Sequence, residues 1–148
     1  MMTTYLLLLK ASKPLRVRVG SLGLLSLPAG YYVYVGSARG PGGVKARVGR
    51  HWRLARTQAG RVRWHIDYLL VNPGVELVES WGIENSVGME CEISKNIETV
   101  SASTVTGFGS SDCRFGCIGH LHRFEGDPRR RLGKLLAKLG LKAEKLRF

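Results

Sequence analysis

The sequence predicts an α/β (α+β) fold in which a small, mostly antiparallel sheet is flanked by helices. Two early segments have strand character: residues 5–9 form a continuous apolar run, and residues 15–19 alternate apolar side chains with arginines. Residues 44–55 instead place valines at helical spacing. Short glycine-rich loops separate the segments, and no linker is long enough to divide domains. We therefore expect a single domain over residues 1–148.

The first part of the chain predicts three strands. A turn joins residues 5–9 to residues 15–19, so these two strands are expected to form a β-hairpin. The next strand spans residues 31–35. Because successive side chains of a strand point to opposite faces, Tyr32 and Tyr34 should share one face. The other face should carry Tyr31, Val33 and Val35.

The helix predicted over residues 44–55 has two distinct faces. The stripe expected to be buried consists of Val44, Val48 and Trp52. Arg47 and His51 are four residues apart on a different face, so both side chains can point at one ligand. This helix is the first candidate for carrying functional side chains.

The remaining elements are shorter. Residues 64–70 favour a helix, residues 75–81 a strand, and a helix capped by Asn85 or Ser86 should run to about Ile97. Asp127 and Pro128 are typical of a helix start, which predicts a basic C-terminal helix over about residues 128–140. That helix should end at Gly140 and bury Leu132, Leu135, Leu136 and Leu139.

Charge is strongly segregated along the chain, whose formal net charge is +12. Residues 1–66 hold twelve Lys or Arg and no Asp or Glu, residues 67–127 have a net charge of −7, and residues 128–148 have a net charge of +7. Clustered basic residues favour a polyanionic partner, because they release condensed counterions when they meet phosphates. Adaptation of surface ion pairs to high temperature is the alternative interpretation.

Composition excludes several classes of protein. No apolar run reaches the roughly 18 residues that a membrane span requires, and the first residues lack the basic region of a signal peptide. Three cysteines are an odd and sparse set, which disfavours a secreted disulfide scaffold and indicates a reducing, cytoplasmic compartment. We expect no membrane partner.

Two groups of residues invite other chemistries. The glycines of residues 40–43 lack the following Lys-Ser/Thr of a phosphate-binding P-loop, so we expect them only to turn the backbone. Cys113, Cys117, His120 and His122 are close in sequence, but their spacing is not that of a common zinc finger. Small buried thiols are the interpretation favoured for the cysteines, and a zinc-stabilised interaction domain remains an alternative.

Residues 30–51 combine tyrosines, glycines and arginines in the way that phosphodiester chemistry requires. Cleavage needs a positioned water, a Lewis acid on the phosphate and a cation for the charge of the transition state. Tyr34 lies near a strand end and can hold a water, or deprotonate it if a nearby metal or cation lowers the tyrosine pKa from about 10. Arg47 offers a planar fork to phosphate oxygens. A metal-binding carboxylate must come from Asp67 or later, because residues 1–66 contain none.

These residues resemble a known family. The segments YVGSA at residues 34–38 and KARVGRH at residues 45–51 are similar to the second motif and the catalytic helix of the GIY-YIG nuclease superfamily. Within it, the chain resembles the small archaeal branch of Uri-type endonucleases, which occur alone or fused to base-excision glycosylases. The further segments that carry this resemblance are WHIDYLL at residues 64–70, ECE at residues 90–92 and GFGSSDC at residues 107–113. The match covers about residues 3–124.

The resemblance implies a set of catalytic residues. Tyr34 corresponds to the tyrosine of the second motif and Arg47 to the helix arginine, and His51 would face the same phosphate. Glu90 would bind Mg²⁺ or Mn²⁺, with Glu92 as the fallback ligand. Two catalytic tyrosines should lie on neighbouring strands, which makes Tyr5 the candidate for the first motif, although the glycine and isoleucine of that motif are absent. His65 and Asp67 are expected to have structural hydrogen-bonding roles.

The resemblance also implies a function: a metal-dependent endonuclease that hydrolyses phosphodiester bonds, of DNA rather than RNA, in DNA repair. The basic residues expected to contact the nucleic acid are Arg39, Lys45, Arg50 and Arg53. A base-excision repair protein is a candidate partner. The alternative is a nucleic-acid-binding module of the same fold without catalysis, for which the altered first motif argues.

Overall fold

The computed structural model describes residues 1–110 and 116–148. Its eight described strands are β1 (Thr4–Ala11), β2 (Leu15–Arg18), β3 (Leu24–Leu27), β4 (Gly30–Ser37), β5 (Val75–Ile83), β6 (Ser103–Thr104), β7 (Leu121–Phe124) and β8 (Ala143–Lys145). The four described α-helices are α1 (Gly43–Thr57), α2 (His65–Leu70), α3 (Glu90–Val100) and α4 (Arg129–Lys138). Six strands form one antiparallel sheet in the order β6-β7-β4-β1-β5-β8, and β2 and β3 form a separate pair. The predicted fold class, α/β with a mostly antiparallel sheet and flanking helices, is confirmed.

Strand β1 is the centre of the large sheet. It pairs with β4 on one edge and with β5 on the other. Tyr5, Leu7 and Leu9 point into one core, and Leu6 and Leu8 point into a second core on the opposite face. The continuous apolar run of residues 5–9 reflects this burial on both faces, which is typical of a central strand.

Each face of the large sheet is covered by two helices. On the face of Tyr5, α1 contributes Val44 and Val48 and α2 contributes Ile66 to the core. On the opposite face, α3 and α4 bury the side chains of Ile93, Ile97, Leu132 and Leu136. Burial of apolar side chains stabilises the fold by about 25 cal/mol per Å² removed from water, so the two cores hold the helices against the sheet.

The predicted hairpin between residues 5–9 and 15–19 is wrong. Both edges of β1 are occupied by β4 and β5, and β2 instead pairs with β3 through the register Leu15 to Leu27. Only the central Val17 of β2 is buried, while Arg16 and Arg18 are exposed. A strand with a single fully buried side chain can pack at the periphery of the core. It has too little apolar surface for a central position in the sheet, where both faces are buried.

The predicted cap of α3 is also wrong. This helix begins at Glu90, and Ser86 is fully buried in another role. The Ser86 hydroxyl accepts hydrogen bonds from the backbone N–H groups of Thr3 and Thr4, at 3.3 and 3.0 Å, and donates to the Ile83 carbonyl. The serine therefore completes the hydrogen bonding of the start of β1, and a residue used there cannot also cap the helix.

The C-terminal helix lies within the expected range. Asp127 Oδ1 accepts a hydrogen bond from the Arg129 backbone N–H at 3.0 Å, the contact expected of a residue that caps a helix. Gly140 has a φ of +71° and follows the last turn, as predicted. Among the residues that the structure describes, no helix has the length and apolar character needed to cross a membrane.

Candidate functional site

Tyr5 and Tyr34 lie on neighbouring antiparallel strands and share one face of the sheet. Tyr5 on β1 lies opposite Gly36 on β4, and Tyr34 is two residues before Gly36 on β4. The two tyrosine rings are therefore diagonal neighbours, with centroids 6.2 Å apart. Gly36 makes this arrangement possible, because a Cβ at that position would overlap the Cζ and hydroxyl of Tyr5. The sequence-based pairing of Tyr5 with Tyr34 thus corresponds to a close contact.

The Tyr5 hydroxyl is hydrogen-bonded to Nε2 of His51, at 2.7 Å. His51 is completely buried, and burial lowers its pKa from 6.5 to about 3, so the imidazole is neutral. Its other nitrogen, Nδ1, lies 3.8 Å from Oδ1 of Asp67. We assign the Nδ1 proton to this side, since the N–H then faces the carboxylate and Nε2 accepts from Tyr5. His51 lies behind Tyr5, with its Nε2 bonded to the tyrosine hydroxyl, and the expectation that it faces a phosphate stays a prediction.

Asp67 organises the region where α1 meets α2. Its carboxylate accepts two hydrogen bonds from the Arg50 guanidinium, both at 3.1 Å, and backbone N–H bonds from Arg63 and Trp64 at 2.7 and 3.1 Å. Burial by itself raises the pKa of Asp67, but these hydrogen bonds outweigh it and lower the pKa below its usual range. Asp67 therefore acts as an ionised anchor, in agreement with the structural role expected for it.

Arg47 extends from α1 to the same cluster. Its Nη1 donates to the Ser37 carbonyl at 3.1 Å, and its guanidinium lies 4.1 Å from the centre of the Trp64 ring. The Arg47 charge also lowers the pKa of both Tyr5 and Tyr34, against the larger opposing effect of burial. A hydrogen bond at one end and an aromatic face beneath it fix the direction of the guanidinium.

Glu90 is the first residue of α3, and its charge acts on both tyrosines. Burial is the dominant cause that raises the pKa of Tyr34 and of Tyr5, and the Glu90 charge raises both further. Its Oε2 lies 3.7 Å from Nδ1 of His120. Glu92, the fallback ligand, is exposed two residues along the helix, where side chains point to a different face.

The other basic residues named from the sequence differ in availability. Arg39, Lys45 and Arg53 are exposed. The Arg50 guanidinium donates hydrogen bonds to Asp67 and to the Arg61 carbonyl. It therefore stabilises the fold and is less available to a ligand than the exposed basic residues. Beside Arg47 lies a cleft of about 250 Å³ whose wall includes three arginines and an aromatic side chain: Arg47, Arg50, Arg63 and Trp64.

A second cluster joins the start of α3 to the segment before β7. Ligand atoms of Cys91, Cys117 and His120 all lie within 4.8 Å of one another. The zinc candidate that the sequence offers, and that the thiol interpretation outweighs, differs from this cluster: it lacks Cys91, and it includes His122, which is not a member. Both ring nitrogens of His122 are hydrogen-bonded to hydroxyl groups, those of Ser94 and Thr104 at 2.8 and 2.7 Å. Cys113 lies outside the described residues.

Sequence reasoning missed three contributors to these sites. Gly36 was visible within the segment of residues 34–38, but its contact with Tyr5 depends on strand register. Trp64 lies in a segment that the sequence predicts only to be helical, yet three guanidinium groups surround its ring. Cys91 stands next to Glu90, but 26 positions separate it from Cys117.

The structure places the chain in the class of mixed α/β proteins built on a six-stranded antiparallel sheet. A cluster of tyrosine, arginine and carboxylate side chains lies at one end of the central strands. The family follows from comparison with known proteins. The chain belongs to the family described as "Domain of unknown function DUF123", whose model matches residues 4–141. No curated protein and no solved structure matches the chain.

Proposed function

We propose that the protein is a metal-dependent endonuclease of the GIY-YIG type, of the Uri-like branch, that hydrolyses phosphodiester bonds of DNA. One observation carries the proposal: the rings of Tyr5 and Tyr34 lie 6.2 Å apart, and the charges of Arg47 and Glu90, residues distant in sequence, both act on these two hydroxyls. Two hydroxyls, one guanidinium and one carboxylate are the groups that hydrolysis of a phosphodiester requires.

The carboxylate fits the hard cation that such chemistry uses. Glu90 is partly exposed, with a relative accessibility of 29%, so a cation bound there keeps room for water ligands. Mg²⁺ prefers one or two carboxylates together with several waters, and Mn²⁺ accepts the same oxygen ligands. When bound, the cation would polarise the scissile phosphate.

The two tyrosines have different roles in this proposal, because they differ in exposure to solvent. Tyr34 is 8% exposed and Tyr5 only 1%, so Tyr34 is the better placed of the two to contact an attacking water. Tyr5 holds its hydroxyl in one direction through His51, which Asp67 supports from behind. Burial raises the pKa of both hydroxyls, so both are protonated at neutral pH and position the water rather than deprotonate it.

Arg47 stabilises the charge that develops on the phosphate. Its guanidinium is held in advance by the Ser37 carbonyl and the Trp64 ring, so little reorganisation is needed when the transition state forms. Arg39, Lys45 and Arg53, which are exposed, extend the basic surface along the strand of nucleic acid. Contacts of this kind go mainly to phosphates and position the backbone.

The decisive experiment is cleavage of DNA substrates of several shapes with and without Mg²⁺. Arg47→Ala and Glu90→Ala should each lower the cleavage rate by roughly 10²–10³. Arg56→Ala and Glu92→Ala are matched controls, exposed on the same two helices, and should stay within about tenfold of the wild type. Equal cleavage by wild type, Arg47→Ala and Glu90→Ala would refute the mechanism. A loss of cleavage in Glu92→Ala but not in Glu90→Ala would identify Glu92 as the metal ligand in place of Glu90.

A second candidate is a nucleic-acid-binding module without catalysis that supports a base-excision repair protein in the cytoplasm. The observation that favours it is the burial of Tyr5, whose hydroxyl is already bonded to His51. Salt-sensitive DNA binding that is unchanged in Glu90→Ala, without cleavage of any substrate, would establish this candidate.

A further inference from the structure

The cluster of Cys91, Cys117 and His120 has the composition of a site for a thiophilic cation. We propose that these three side chains bind Zn²⁺, at a position separate from the hard-cation ligand Glu90. Two thiolates and an imidazole are ligands that Zn²⁺ prefers, whereas Mg²⁺ takes oxygen ligands. The inference does not depend on nuclease activity.

The distances are close to those of a tetrahedral zinc site. Zn–S and Zn–N bonds of about 2.3 and 2.0–2.1 Å place a sulfur and a nitrogen ligand roughly 3.5 Å apart. Sγ of Cys91 lies 3.8 Å from Nε2 of His120, and all three ligand atoms lie within 4.8 Å of one another. Two sulfurs bound at 2.3 Å lie roughly 3.8 Å apart, so side-chain shifts of about 1 Å or less would complete the geometry for the three described ligands.

His120 supplies an independent indication. Its side chain is 1% exposed, and its buried Nδ1 has no hydrogen-bond partner within residues 1–110 and 116–148. The carboxylate of Glu90 faces that nitrogen at 3.7 Å. A histidine that binds a metal through Nε2 commonly gives its Nδ1–H to a carboxylate, so the position of Glu90 is the one expected beside a metal-bound His120.

The neighbouring His122 shows the contrast. It is also buried, but its two nitrogens are satisfied by the hydroxyls of Ser94 and Thr104, which leaves no lone pair for a cation. His122 is thus bonded to two hydroxyls. His120 instead has the Cys91 thiol beside Nε2 and the Glu90 carboxylate beside Nδ1, with the Cys117 thiol within 4.8 Å.

A cation here would join two parts of the chain that are distant in sequence. Cys91 lies in the first turn of α3, and Cys117 and His120 precede β7. The Cys117 thiol also contacts the Cys91 carbonyl at 3.5 Å, so the two segments already touch. Because Cys91 is adjacent to Glu90, the cation would fix the start of α3 and hence the direction of that carboxylate.

The test is the metal content of the purified full-length protein. After incubation with Zn²⁺ and removal of the excess, elemental analysis should find about one Zn²⁺ per chain. Cys91→Ser with Cys117→Ser should lower this content at least tenfold, while His122→Gln, the matched control, should keep it. Zinc-free wild type after this treatment, or wild-type zinc content in the double serine variant, would overturn the proposal.

A second measurement decides the matter if the serine variants do not fold. Co²⁺ added to the metal-stripped wild type should give the absorption of a tetrahedral thiolate site, and Zn²⁺ should abolish it by displacement. Absence of a thiolate band would refute the site. Zinc binding without any DNA cleavage would support the zinc site and contradict the proposed nuclease function. DNA cleavage by a protein that binds no zinc would support the nuclease function and contradict the zinc site.

Discussion

At the scale of single residues, the candidate site depends on small groups that make room for large ones. Gly36 lies opposite Tyr5 across the β1–β4 ladder, and the tyrosine ring lies over it where a Cβ would be. The ring then reaches His51, and His51 reaches Asp67. The position of the Tyr5 hydroxyl therefore depends on the absence of a Cβ at Gly36 and on the contacts from Tyr5 through His51 to Asp67.

Replacing Gly36 with alanine should displace the Tyr5 ring. We expect destabilisation of about 1–3 kcal/mol, the usual cost of overpacking, together with loss of the Tyr5–His51 hydrogen bond. Urea unfolding measures the stability, and the imidazole resonances of His51 report the hydrogen bond. Gly40→Ala is the control, because a Cβ at Gly40 meets open space. Equal stability of the two variants would contradict this packing account.

Asp67→Asn should be among the most destabilising polar substitutions in the protein. The amide cannot accept all the bonds that the carboxylate takes from Arg50, Arg63 and Trp64, and it removes the charge partner of Arg50. We expect a loss of about 2–3 kcal/mol in the free energy of unfolding, below the value for a fully buried pair because Arg50 is partly exposed. Denaturant titration measures it.

Asp127→Asn provides the comparison for that variant. Asp127 also binds an arginine, Arg129, but both side chains are at least 40% exposed. Solvent screens such a pair, so we expect a loss of about 1 kcal/mol or less. A larger loss at Asp127 than at Asp67 would show that the burial of the Asp67 anchor is not what gives it its importance.

At the scale of elements, apolar periodicity determines where the helices and strands form, and pairing determines what each one does. The strands at residues 5–9, 31–35 and 75–81 and the helix at residues 44–55 follow from local patterns that the structure confirms. The partner of β2 does not follow, because several strands compete for the two edges of β1 and the outcome depends on all of them.

Helix α4 allows a direct test of local propensity. Gly133 lies within this helix, and a Cβ there meets no neighbouring atom, so Gly133→Ala should stabilise the protein by about 0.5–1 kcal/mol. Gly140→Ala should do the opposite by a similar amount, because Gly140 has a φ of +71° just past the helix. Thermal unfolding of both variants measures the effect, and a lower Tm for Gly133→Ala would refute it.

At the scale of the whole molecule, charge and burial make stability depend on pH. The folded protein holds His51 neutral with a pKa of about 3, because burial disfavours the charged imidazole. The unfolded chain takes up that proton near pH 6.5. The ionised Asp67, whose pKa lies below its usual range, adds a second contribution that is lost at still lower pH.

Stability should therefore fall as the pH is lowered from about 6.5 toward 4. The unfolded state then binds the His51 proton and the folded state does not, so His51 contributes up to about 1.4 kcal/mol per pH unit. Below about pH 4, loss of the Asp67 contribution steepens the fall. Urea midpoints at a series of pH values measure the slope, and His51→Gln should reduce it between pH 6 and 4. An unchanged slope in that variant would exclude His51 as the source.

The sequence by itself determined the helices and strands with strong periodicity and the segregation of basic residues, because periodicity and charge are local properties of the chain. The resemblance of its motifs to a known superfamily implied Tyr5, Tyr34, Arg47 and Glu90 as candidates. Only the tertiary structure decided that His51 lies behind Tyr5, that Asp67 holds both helices together, and that Cys91 rather than His122 joins Cys117 and His120. Those outcomes depend on strand register and on which side chains meet across the sheet, and these are set by the packing of the whole chain at once.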